Sequence, residues 1–354
     1  MFAEYATSVW DGVVGQPNAV DQLTRSAADP VHAYLFVGPP GSTKEEAARA
    51  FAALLLTGHD DTRARDARLA LAGEHPDVRE VRRVGAIIER QQVTEIIRLA
   101  SLAPVEGSRK VMVLHEFHLL SANGAARLLK TLEEPPPRTV LLVLADQVPP
   151  ELVTIASRCV RIEFRTIPDP TIREVLLSEG IDRTIADLAT EGARGDLTRA
   201  RLLATDAGLI ERRAAFAAVP QRLDGNGNTV MRLVASLLNM IEDAAAPLVE
   251  RHSKEIAELE ERIALAGERG SGRKQLEDRH KRELRRHRTD ELRSGLTVMA
   301  SIYRDALVRG DIRRPDSLVA AVQRIHGAIE ALDRNPNESL LLQALLLDLP
   351  SLPG

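Results

Sequence analysis

Residues Ala33–Ala48 read AYLFVGPPGSTKEEAA, and this stretch decides the class of fold. Five apolar residues, Ala33–Val37, run without a polar break, as in a strand buried on both faces. The Gly-Pro-Pro-Gly turn ends that strand, and a helix-type pattern follows through Leu56. Strand, glycine-bearing turn and helix in this order frame the phosphate-binding pattern G-x-x-x-x-G-K-[ST]. Gly38 and Lys44 stand at the pattern's spacing, with Gly41 inside the loop. Thr43 takes the place of the second glycine, and Glu45 that of the hydroxyl residue. A working loop wraps backbone amides round phosphate, neutralises it with the lysine and binds magnesium through the hydroxyl. Thr43 restricts the backbone where it must wrap, and Glu45 adds a carboxylate that repels polyphosphate. For catalysis, a strand–helix turn kept for packing is the expectation.

On either side of this segment the same alternation continues. Val111–Leu114, Val140–Ala145 and Val160–Phe164 are further strand candidates, with helical stretches such as Ala122–Leu132 between them. Strands alternating with helices predict a parallel sheet covered on both faces. The strand in VMVLHEFHLL (Val111–Leu120) ends on His115, where phosphate-loop ATPases carry a magnesium-binding aspartate, and Glu116 follows. Magnesium prefers oxygen ligands, so an imidazole there is a poor substitute. His115 and His118 read as loop-end histidines, since no complete ligand set accompanies them. Asp146, after Ala145, stands where a polar residue usually meets the γ-phosphate. Together these departures argue against an ATPase.

The chain's 354 residues allow two or three domains. With aromatics at only 3%, the cores must rest on Leu, Ala, Val and Ile. A formal net charge of −4 gives no global pull toward nucleic acid, so any such contact needs a local patch. The single cysteine, Cys159, excludes a disulfide framework and a cysteine-rich zinc site, and reads as a small buried apolar residue. The opening MFAEYATSVWDG lacks the basic and apolar segments of a secretory signal. No apolar run approaches the roughly 20 residues of a membrane span, so a cytoplasmic protein is expected.

Three regions are predicted: an α/β domain over 1–166, short helices over 167–222 broken at Gly180, Gly192 and Gly195, and a helical domain over 223–354. Turn formers in Leu223–Asn228 mark the second boundary. Within the last region, Ile256, Leu259 and Ile263 at heptad-like spacing, then Gly267–Gly272, predict a charged helical hairpin over 250–293. Glu268–Arg293 carries ten Lys/Arg against six Asp/Glu, a net of +4. A solvated, salt-bridged face is preferred there over a DNA surface on Lys281, Arg282, Arg285, Arg286 and Arg288.

Four stretches carry a resemblance: VVGQPNAVDQL (Val13–Leu23), HAYLFVGPPG (His32–Gly41), NGAARLLKTLEEPPPRTVLLVLA (Asn123–Ala145) and TIASRCVRIEF (Thr154–Phe164). They resemble the bacterial DNA polymerase III clamp-loader subunits of the AAA+ superfamily. The resemblance implies an AAA+ phosphate-loop domain with a parallel sheet, a small helical lid and a C-terminal helical collar domain. A spoiled phosphate loop beside an intact Ser157-Arg158-Cys159 is similar to the delta-prime branch, which does not hydrolyse ATP, and unlike the gamma/tau branch, which does.

Carried over by residue, Arg158 is implied to be an arginine finger acting in trans on a neighbouring gamma/tau subunit. Gly38, Gly41 and Lys44 are then a degenerate phosphate loop, and Arg199 a vestigial lid arginine kept for packing or an interface. The implied partners are gamma/tau and delta and, through the assembled complex, the sliding clamp and primed DNA; no membrane is involved. ATP would be bound by the partner subunits.

Many relatives carry a four-cysteine zinc module before a His-Pro-Asp segment. Here Thr57–Glu74, ahead of His75-Pro76-Asp77, has no cysteine, so neither zinc nor another cofactor is expected, and a polar helical segment should replace the module. Two other readings stay open: a gamma/tau-like ATPase whose unusual loop still works, and a DNA-binding accessory protein using the basic helix.

Overall fold

The computed structural model describes residues 8–83, 87–266, 273–309, 315–334 and 336–353. They divide into two compact units, one comprising residues up to 180 with 193–200, the other 181–192 with 201 onward. The short helices expected over 167–222 are thus shared between the units.

In the first unit the apolar runs become a five-stranded sheet: β1 (Ala33–Val37), β2 (Val78–Val81), β3 (Lys110–Leu114), β4 (Thr139–Ala145) and β5 (Val160–Glu163). The order is β2-β3-β4-β1-β5 and every pairing is parallel. Around it lie α1 (Pro17–Ser26), α2 (Lys44–Thr57), α3 (Arg65–Ala72), α4 (Arg90–Ala100), α5 (Ala122–Glu133), α6 (Val153–Ala156) and α7 (Asp169–Ser178). Because alternate strand residues face opposite ways, the sheet feeds two cores. Tyr34, Phe36, Val113 and Leu142 pack with Phe51 of α2 and Ala67 of α3. Leu35, Met112, Leu141 and Val143 pack with Ile96 of α4 and Leu128 of α5 on the other side. Side chains such as Phe51, with no exposed surface, each contribute about 2–3 kcal/mol by leaving water. Strands buried on both faces explain the unbroken apolar runs by which β1, β3 and β4 were predicted.

Two local features differ from, or sharpen, the expectation. β2, with sequence VREV, was not anticipated; it is an edge strand whose two central residues, Arg79 and Glu80, are charged. The cysteine-free segment forms α3, whose Ala67 and Ala70 are buried in the core it shares with α2.

The chain continues through α8 (Arg183–Ala193), α9 (Leu197–Ala204), α10 (Leu209–Arg222), α11 (Gly227–Asp243), α12 (Ala246–Ala266), α13 (Arg273–Arg309), α14 (Pro315–Ala331) and α15 (Glu338–Asp348). The second unit is all-helical, with a core of Phe216, Leu237, Leu296, Met299, Tyr303, Ile325 and Leu342. Within it, buried Arg212 pairs with Asp206 and Glu291 at 2.5 and 2.7 Å. The expected hairpin is α12 and α13; the break proposed at 267–272 lies outside the described residues. Among the described residues, no helix is long and apolar enough to cross a membrane.

Candidate functional site

The altered phosphate loop leaves the C-terminal end of β1, the edge of a parallel sheet where α/β proteins place ligands. Its backbone is tightly boxed in. A Cβ on Gly38 would lie 2.5 Å from Cβ of Phe164, so only glycine fits. Gly41 has φ +69°, and a Cβ there would meet Asp196 Oδ1 at 1.9 Å. The Gly41 carbonyl also accepts the Leu197 N–H at 3.3 Å. Thr43 sits at φ 60° immediately before α2, a left-handed conformation that is uncommon and strained for a β-branched residue. Its hydroxyl is tied to the Val14 N–H and carbonyl, each at 3.2 Å. Gln16, almost fully buried, clamps the loop from beneath: its amide donates to the carbonyls of Ser42 and Arg165 and accepts the Arg165 N–H.

The charged groups at this edge are paired with one another. Lys44 Nζ lies 2.8 Å from Asp146 Oδ1 and 3.1 Å from the Pro39 carbonyl. The Asp146 N–H donates to Nδ1 of His118 at 3.1 Å, and burial lowers the pKa of that imidazole. His115, where a magnesium-binding aspartate was looked for, has its Nε2 3.0 Å from Glu80 and its Nδ1 3.6 Å from Glu45. Arg82 reaches Glu45 at 2.7 Å, and Arg49 reaches Glu80 at 2.5 Å. Burial pushes both carboxyls up, but hydrogen bonds with His115 and the charges of Arg82 and Arg49 overcome it. Glu80 ends at about 2, and Glu45 is held well below the carboxylate range. Glu116 accepts from Arg83 at 2.9 Å. Where a nucleotide and magnesium would place their charges, this chain therefore carries compensating side-chain pairs.

Arg158 lies elsewhere. It follows α6 and precedes β5, which runs parallel to β1 with Tyr34 opposite Val160. It therefore sits at the N-terminal edge of the sheet, a strand's length of roughly 10–15 Å from the chain's own loop. Its side chain is about one-third exposed, donates to Glu133 at 2.6 and 2.9 Å, and donates to the Thr154 carbonyl. Arg199 is 9% exposed on α9 and takes Asp196 as its backbone cap at 2.9 Å. Cys159 packs against the second core, where burial pushes its thiol up to about 12, outside the reactive range. In the basic helix, Arg288 pairs with Glu338 and Arg286 with Asp290, while Lys281 and Arg285 stay exposed.

Sequence reasoning missed Gln16, Arg49, Glu80, Arg82 and Asp196, which complete the loop and its charge pairs. It also missed a close group of Asp66, His75 and Glu106, whose donor atoms lie within 4.8 Å of one another. His75 Nδ1 accepts the Asp77 N–H at 3.0 Å, which fixes the proton of a neutral ring on Nε2, facing Asp66 at 3.7 Å. Metal ligation needs a lone pair on that atom. Arg65 instead bridges the two carboxylates, at 2.8 Å to Glu106 and 3.1 Å to Asp66.

Residues 15–168 match the family model for DNA polymerase III, delta subunit. The delta′ subunit of Bacillus subtilis is 29% identical over 161 residues, covering 44% of this chain and 49% of that protein. The delta′ subunit of Pseudomonas aeruginosa is 36% identical over 141 residues, covering 38% and 43%. The tau subunit of Bacillus subtilis is 28% identical over 205 residues, covering 53% and 36%. The chain thus spans less than half the length of the curated relatives it matches. A DNA polymerase III gamma subunit-related protein of Thermotoga maritima superposes at TM-score 0.45 and 17% identity over 93% of this chain and 97% of its own, too distant to bear on function. Over residues 15–168, the sheet domain is similar to the DNA polymerase III, delta subunit family and, within it, to delta′ as well as tau subunits.

Proposed function

We propose that this chain is the non-hydrolysing delta′ subunit of a DNA polymerase III clamp loader. It joins gamma/tau and delta subunits and completes a neighbour's ATP site with Arg158. ATP, bound by the partners, then drives loading of the sliding clamp onto primed DNA in the cytoplasm.

The Lys44–Asp146 pair carries this reading. A P-loop lysine serves catalysis by meeting the β- and γ-phosphates, and here it meets a carboxylate of its own chain. The Glu45, Glu80, His115, Arg49 and Arg82 network supports it, because it fills the magnesium position with fixed charges. Arg158 supports the trans role through its place at the opposite sheet edge, partly exposed, where it cannot reach its own loop. A guanidinium is planar and permanently charged, suited to a γ-phosphate developing charge in a neighbour.

The gamma/tau-like alternative retains one supporting observation, the similarity to a tau subunit, and separates cleanly in one assay. The purified chain alone is expected to show no ATP turnover and no thermal stabilisation by MgATP, since a ligand that binds the folded state raises its melting point. Turnover by the isolated chain would overturn the reading.

A further inference from the structure

The Arg158 side chain is held by its own chain before any neighbour arrives. Its Nε and Nη2 both donate to Oε1 of Glu133, at 2.9 and 2.6 Å. Its Nη1 donates to the Thr154 carbonyl at 2.9 Å and, more weakly, to the Ser157 hydroxyl at 3.3 Å. A guanidinium has five N–H donors, and these bonds engage four of them. The second N–H of Nη2 and the weakly held one of Nη1 are the donors left for a phosphate oxygen.

Both partners stand on packed elements. Glu133 is the last residue of α5, and Pro135, Pro136 and Pro137 keep the helix from running on. Arg158 comes just after α6. Leu128 and Leu132 of α5 share one core with Leu152 and with Ile155 of α6, so buried side chains set the spacing of Glu133 and Arg158. Stability does not account for the pair, because its side chains are about half and one-third exposed and ion pairs of that exposure add little to folding. What the pair does is order a long side chain that otherwise samples many rotamers. A guanidinium fixed beforehand loses little further freedom on meeting its target. Solvent and salt screen the Glu133 charge at this exposure, so it subtracts little from the cation it orients.

We propose that Glu133 is a positioning residue for Arg158: by accepting from Nε and Nη2, it holds the guanidinium in the orientation that meets the γ-phosphate of a neighbouring subunit. Glu133 acts through Arg158 and does not touch the nucleotide. Its role rests on the trans-acting reading of Arg158 and adds to it a residue on a different helix.

The test is ATP hydrolysis, measured against ATP concentration, by the complex reconstituted from the full chain, gamma/tau and delta. Arg158→Ala defines the share of hydrolysis that depends on the finger. Misplacing a reacting group by about 1 Å can cost roughly 100-fold, so Glu133→Ala should lower the kcat of that share by about tenfold or more. KM for ATP, assembly and the melting point of the chain should not move. Glu133→Gln keeps the reach and an acceptor oxygen without the charge, and should recover most of the rate. Glu133→Asp keeps the charge without the reach, and should behave like Glu133→Ala. If Arg158→Ala is impaired while Glu133→Ala hydrolyses at the unsubstituted rate, the positioning role is overturned and the finger stands. Recovery by Glu133→Asp but not by Glu133→Gln also overturns it, because charge and not placement then matters. So does a lowered melting point or lost assembly in Glu133→Ala, which assigns the residue to the fold. Full activity in Arg158→Ala overturns the trans-acting reading, and the role of Glu133 with it.

Discussion

Replacing Glu80 with Gln tests whether fixed charges occupy the magnesium position. Glu80 is 15% exposed, accepts from Arg49 at 2.5 and 3.1 Å, and lies 3.0 Å from His115 Nε2. Its carboxyl stands at about 2 against an ordinary 4.5, with burial raising it and the bonds from His115 and Arg49 lowering it further. At about 1.4 kcal/mol for each tenfold change in proton affinity, that difference stabilises the fold by up to about 3 kcal/mol at pH 7. The folded value lies below the unfolded one. The stabilisation is therefore complete above about pH 4.5 and is lost as pH falls toward 2. Glu80→Gln leaves Arg49 and His115 facing a neutral amide, and removing one partner of a mostly buried pair costs a similar few kcal/mol. Thermal unfolding at pH 7 should drop by about 5–10 °C. At pH 3 the gap to the unsubstituted protein should shrink to about half or less, because its own Glu80 is then losing the same stabilisation. Equal melting points at pH 7, or a gap that does not change between pH 7 and pH 3, would refute the network.

Gly41→Ala should destabilise the first unit by about 2 kcal/mol or more, since it combines a left-handed backbone with a collision at Asp196; urea denaturation measures it, and an Asp196→Ala background should restore only part. In the hairpin, His252 and His280 stack at 3.8 Å, flanked by Arg251, Glu255, Arg279 and Glu283. Burial lowers the His252 pKa despite its Glu283 bond, so its contribution is present above about pH 6.5 and lost as pH falls through the folded value. Helicity of the chain should therefore weaken below pH 6 in an unfolding titration, and His252→Gln should remove that component; an unchanged profile counts against the stacked pair.

Much of this was legible because the middle of the sheet is buried on both faces: β1, β3 and β4 announce themselves as apolar runs, and the loop's defects stand in one contiguous motif. β2 was hidden by its edge position and by the adjacent charges Arg79 and Glu80, which leave a four-residue strand with no apolar run. With it went the network, since the pairing of Val81 with Leu114 is what carries Glu80 to His115. Likewise Asp196 closes on Gly41 from a distant part of the chain, and no local pattern encodes that approach. The cysteine-free segment was legible as a helix, but the tautomer of His75 follows from one backbone bond to Asp77 that only the folded turn creates.

The decisive measurement is DNA- and clamp-stimulated ATP hydrolysis by a complex reconstituted from this chain, gamma/tau and delta, comparing Arg158 with Arg158→Ala. Arginine fingers in other nucleotide hydrolases are worth roughly 10³–10⁵ in rate, so, if Arg158 acts in trans as proposed, hydrolysis at the neighbouring site should fall by orders of magnitude while assembly is retained. An Arg158→Ala complex that assembles and hydrolyses ATP at the unsubstituted rate would contradict the trans-acting role.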